Sequence, residues 1–99
     1  MKQRIDLPTT VLLDPVSGQA AAYNSIHRLI TGHASAALVA YAKTKGHKQA
    51  PWDEKQYNPE GQWYAMPDWA SAQVRARCTL IWVRSGTETA QQLRAIPKA

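Results

Sequence analysis

Residues 14–32 read DPVSGQAAAYNSIHRLITG, and two structures compete for them. In one, Asp14 caps a helix whose first residue is Pro15, a position where the missing N–H costs nothing. Ala20–Ala22 followed by Tyr23, Ile26, Leu29 and Ile30 then has helical spacing, and Gly32 suits a left-handed residue just past the helix end. In the other, DPVSG is a hairpin turn and the chain returns through QAAAY. The spacing favours the helix, and the neighbouring segments are read with it.

Upstream, residues 1–13 begin polar and end in TTVLL, which predicts a short strand or an extended arm, with Pro8 arguing against a central strand. Downstream, ASAALVAYAKTK predicts a second helix. Ala34, Ala37, Leu38 and Tyr41 share one face, Lys43 and Lys45 offset the dipole in the last turn, and Gly46 ends it. Joined through Thr31-Gly32-His33, the two helices would form an αα-hairpin. Residues 47–67 form a long polar, aromatic and Pro-punctuated loop, which is either functional or packed by its own side chains. From Pro67-Asp68 the chain reads PDWASAQVRARCTLIWVRSG, predicting a central helix apolar nearly all round. The alternative there is a short helix leading into a strand from Arg77 to Arg84. TETAQQLRAI predicts a last helix capped by Thr87 and stopped by Pro97. The expected fold is therefore mainly α: one domain over residues 1–99, about four helices, an N-terminal arm or strand and the 47–67 loop. An α+β fold with strands near 10–14 and 77–84 is the alternative.

The 99 residues suffice for one small core, and with no Phe its bulk must come from Trp, Tyr, Leu, Ile and Val. The single cysteine, Cys78, excludes an intrachain disulfide framework or a Cys-based zinc site. No signal peptide or membrane span is read, and a reducing cytoplasm is the expected location. The five glycines are dispersed, so no phosphate-cradling loop or dinucleotide fingerprint exists. His27, His33 and His47 show no metal-ligand spacing. Cys78 lies in the apolar run RARCTLIWV, where an inert buried thiol is expected rather than a nucleophile. Nothing assembles a nucleophile, base and oxyanion donor, so no catalytic residue, metal or cofactor is assigned and an enzyme is not expected.

Binding is the remaining class. The net charge of +5 favours an anionic partner. The cations fall into two groups, Lys43, Lys45 and Lys48 in KTKGHK, and Arg75, Arg77 and Arg84, and together they are the candidate nucleic-acid patch. The helices around ITGH invite comparison with a helix-turn-helix, but Arg28 stands where a small residue is required. Aromatic residues concentrate in WDEKQYNPEGQWYAMPDW, Trp52 to Trp69. That stretch carries a net −3 against +8 for the rest, so its carboxylates oppose phosphate. Trp63, Tyr64 and Trp69 are expected to close over the Ala-rich helices. The alternative is a protein-docking surface anchored by Trp52, Tyr57 and Trp63. The expectation is a small basic regulator or inhibitor of a nucleic-acid-associated machine, of the kind encoded by phages and mobile elements. Its partner would be nucleic acid or a protein that works on it, with no membrane. The Ala-rich face of residues 34–42 leaves a homodimer open.

Overall fold

The computed structural model describes residues 8–84, and these build an antiparallel five-stranded sheet rather than the mainly helical fold expected from the spacing. In chain order the elements are β1 Thr10–Leu13, β2 Ala20–Tyr23, β3 Leu29–Thr31, α1 Ala36–Lys45, β4 Lys48–Pro51, α2 Glu54–Tyr57, a 3-10 turn Pro59–Gly61, α3 Ala72–Arg75 and β5 Thr79–Trp82. The strand order is β3-β2-β1-β5-β4. β1 is thus central, because Pro8 lies ahead of the ladder and removes no bond from it. The α+β alternative comes closer, with β1 and β5 falling within its two strands. The helix expected at residues 87–96 lies outside the described residues, as does the start of the N-terminal arm.

DPVSGQAAAY is a hairpin. Asp14 N–H donates to the Gln19 carbonyl and Gly18 N–H to the Asp14 carbonyl, both at 2.8 Å. Gly18 takes φ 81°, a conformation glycine adopts without a Cβ penalty. The Asp14 carboxylate holds the turn from inside, accepting from Val16 N–H at 3.0 Å and Ser17 Oγ at 2.6 Å. β2 then pairs with β1 from Ala20↔Leu13 to Tyr23↔Thr10. All four β2 residues are buried, because both faces of the sheet are covered. Ala20 and Ala22 face one layer while Ala21 and Tyr23 face the other. Covered on both sides, the strand shows no polar alternation, and its alanines mimic a helix. Ile26, expected on the buried helical face, is 70% exposed in the β2–β3 turn.

The expected central helix over 67–84 also resolves differently. Only one turn forms, α3, with Ser71 Oγ accepting from Val74 N–H, and CTLIWV becomes β5 between β1 and β4. α1 is the helix read correctly, as the short strand ending in TVLL is among the strands. Ser35 caps it through Leu38 N–H at 3.1 Å, and Lys43 and Lys45 sit in its last turn. Gly46 ends it for a different reason than a left-handed turn. Its φ is −62°, but a Cβ there would lie 2.6 Å from the Ala42 carbonyl oxygen and from Ile81 Cγ2.

The two layers differ. α1 packs Leu38, Val39 and Ala42 on Val11, Leu13, Ala22 and Ile81. The opposite face, Leu12, Ala21, Tyr23 and Leu80, is covered by Trp52, Tyr64 and neighbouring rings. The 52–69 segment therefore closes over the sheet, not over helices. Its backbone is pinned by side chains: Asn58 Oδ1 accepts from Trp63 and Tyr64 N–H, and Nδ2 donates to the Tyr64 carbonyl, all at 2.9 Å. Tyr23 Oη donates to the Ala65 carbonyl and Trp69 Nε1 to the Gly32 carbonyl, each at 2.6 Å.

β4 is an edge strand. Trp52 N–H donates to the Cys78 carbonyl at 2.9 Å, so by alternation Ala50 and Lys48 bond β5 while Gln49 and Pro51 turn their backbone outward. Proline thus stands where an N–H would otherwise face away from the sheet.

Candidate functional site

The ladder register sorts the charged residues into two ends. One end is the row Lys48↔Trp82↔Thr10↔Tyr23, and the other is Pro51↔Thr79↔Leu13↔Ala20. α1 runs antiparallel to β4 in sequence and delivers its last turn, with Lys43 and Lys45, to the first end. There His47 N–H donates to the Trp82 carbonyl at 3.0 Å. Tyr41 Oη donates to the Arg84 carbonyl at 3.3 Å, tying the helix to the residues after β5. Lys43, Lys45, Lys48 and Arg84 are all exposed. The Lys48 ammonium lies 4.7 Å from the centre of the Trp82 ring, a cation–π contact that keeps the charge at the surface.

Arg75 and Arg77 are not part of this group. Both lie at the opposite end and are held by carboxylates. Arg77 makes a two-pronged ion pair with Asp14, Nε to Oδ1 and Nη2 to Oδ2, each 2.9 Å. Asp14 is fully buried, and the Arg77 and Ser17 hydrogen bonds hold its carboxyl well below the usual carboxylate range. The same bond raises the already high Arg77 pKa. Arg75 Nε donates to Glu54 Oε1 at 3.0 Å and its Nη1 to the Ala70 carbonyl at 2.8 Å. Glu54 Oε1 also accepts from Trp52 Nε1 at 3.1 Å. These arginines brace the hairpin turn and the aromatic layer. Sequence reasoning missed this because Asp14 and Arg77 are 63 residues apart.

Asp53 and Asp68 complete the acidic end. Asp53 follows β4 and caps α2, and Asp68 faces His33 at 3.5 Å. An open groove of about 540 Å³ lies here, lined by Pro51, Trp52, Asp53, Glu54, Tyr57 and Ala76. Its two carboxylates make it a poor site for phosphate.

The three expected partner anchors separate. Trp52 is 8% exposed and belongs to the core, Tyr57 is half-buried, and Trp63 is 50% exposed. Rings run continuously from one to the next: Trp82–Tyr57 at 5.5 Å, Tyr57–Trp52 at 5.9 Å, Trp52–Tyr64 at 5.5 Å, Tyr64–His27 at 4.6 Å and His27–Trp63 at 5.8 Å. His27 was read only as an unremarkable histidine. It occupies φ 64°, held by Asn24, whose Oδ1 accepts from Ile26 and Arg28 N–H at 3.0 Å. Neither Gly nor Asn marks that left-handed position, and histidine's own enrichment there is too weak a signal to announce it. Arg28, exposed beside it, stands outside both cation groups expected from the sequence.

For other chemistry, Cys78 is buried and desolvation pushes its thiol up to about 11, which suppresses the thiolate. No group of three metal-ligating side chains occurs among the described residues. No helix among them is long and apolar enough to cross a membrane. Compared with protein-family models, with curated proteins and with solved structures, the chain matches none.

Proposed function

We propose that this is a non-enzymatic binding protein of the cytoplasm that takes an anionic partner, nucleic acid, at the end of the sheet bearing Lys43, Lys45, Lys48 and Arg84. It would act as a small regulator or inhibitor of a machine that works on nucleic acid. What supports this reading is the segregation of charge. Four cations gather at one end of the ladder, whereas Asp14, Asp53, Glu54 and Asp68 lie towards the other, where two of them are paired with Arg75 and Arg77. Lys43 and Lys45 make no ion pair with any described residue. Exposed lysines on a helix end and an adjoining strand release condensed counterions when they meet phosphates, which drives association.

The test is oligonucleotide binding by fluorescence anisotropy across a range of salt. The wild-type protein should lose affinity steeply as salt rises. Replacing Lys43, Lys45 and Lys48 together by Ala should reduce the log–log salt slope by about 2. Lys55→Ala, in α2, should leave it unchanged. Absence of salt-dependent binding, or a slope indifferent to the triple substitution, would overturn the reading. Salt-tolerant capture of a protein instead would favour a protein partner.

A further inference from the structure

Resting on that reading, we propose that the nucleic acid is single-stranded, with a base stacked on Trp63 and backbone phosphates held by Arg28 beside it and, further along the strand, by Lys48. The Lys48↔Trp82↔Thr10↔Tyr23 row runs across the same face of the sheet that the aromatic layer covers. β4 and β2 are three strand spacings apart, roughly 14 Å. Trp63 and the Arg28 turn stand at the β2 side of that row, and the Lys48–Trp82 pair stands at the β4 side.

Trp63 offers what unpaired bases need. Half of its surface is exposed, yet its position is set from behind by His27, itself packed on Tyr64, and from its own backbone by Asn58. A ring held this way loses little freedom when a base stacks on it. A duplex hides its base faces, so Trp63 would contribute nothing to duplex binding. Among the described residues α1 is also poorly built to read a groove, because most of its outward face, Ala36, Ala37 and Ala40, has no donor or acceptor for base edges and only its last turn offers Lys43 and Thr44.

The carboxylates of the aromatic stretch argued against stacking when only their sequence position was known. In the fold Asp53, Glu54 and Asp68 lie towards the opposite end of the ladder, away from Trp63. Glu60 remains in the 3-10 turn three residues before Trp63, with Gln62 Nε2 at 3.5 Å from its carboxylate. It therefore weakens the site, and Glu60→Gln should tighten binding.

The experiment compares deoxy- and ribo-oligonucleotides of about ten nucleotides, single-stranded and as duplexes, on wild type, Trp63→Ala, Trp63→Phe and Arg28→Ala. Trp63→Ala should weaken single-strand binding at least about fivefold, while duplex affinity and the salt slope stay unchanged. Trp63→Phe, which keeps a stacking face, should restore most of the loss. Arg28→Ala should reduce the salt slope by about 0.7. Equal affinity for both forms with an inert Trp63→Ala, while the triple lysine variant still weakens binding, overturns the single-strand assignment and leaves the basic end standing. If no oligonucleotide binds in a salt-dependent way, the basic-end reading falls and this one with it.

Discussion

The two faces of the sheet are covered by unlike means. On one, α1 satisfies its own backbone and packs Leu38, Val39 and Ala42 on the sheet, with the half-buried Tyr41 adding an exposed hydrogen bond to the Arg84 carbonyl. On the other, an irregular segment carries larger rings but cannot satisfy its backbone alone, so Asn58 and the Tyr23 hydroxyl do so. The helix face is held by close packing, and the aromatic face by packing together with a few buried polar contacts. A cover of the second kind tolerates less change at single residues, because each buried hydrogen-bonding group left unmatched carries its full desolvation cost.

The largest effect should come from Asn58→Ala, which strands two N–H groups and one carbonyl beneath the aromatic layer. A loss of about 4 kcal/mol is expected from urea unfolding, together with a more quenchable tryptophan emission. Leu38→Ala, the deepest truncation on the helix face, should cost about 3 kcal/mol and leave the emission near native, because it removes contacts without opening the other face. A reversal of that order would break the comparison between the faces. A smaller effect should follow from pH. The Asp14 carboxyl titrates lower in the folded chain than its unfolded value of about 3.9, so its stabilising contribution is complete above that value. It is lost as pH falls below about 4 towards the folded pKa, and stability should drop there. Asp14→Asn should flatten the dependence in unfolding midpoints measured between neutral and acid pH. An unchanged pH profile would mean that the Arg77 pair does not hold the hairpin turn.

How legible this was in the sequence depends on how local each cause is. α1 could be read because its cap, its terminal lysines and its closing glycine are consecutive in the chain. The three lysines could be grouped for the same reason, two in one helical turn and one just past Gly46. β2 could not, because a strand buried on both faces shows no alternation and AAAY satisfies a helical pattern equally well. The wrong choice at DPVSG then carried the fold class with it. The roles of Arg75 and Arg77 depend on Glu54 and Asp14, partners that only the folded chain brings near. The difference between Trp52 and Trp63 had the same origin: both lie in one aromatic run, but only the sheet beneath decides which ring is covered.

The outward-facing Pro51 has a consequence for assembly. An edge strand normally offers a neighbour a full set of donors and acceptors, and so invites sheet growth from molecule to molecule. Along β4 the outward backbone offers the Gln49 amide as its donor, since Pro51 has none to give. A second chain docking there would gain too few bonds to extend the sheet into a fibril. One imino acid thus makes the β4 edge a poor template, and the sheet's other edge, β3, is only three residues long.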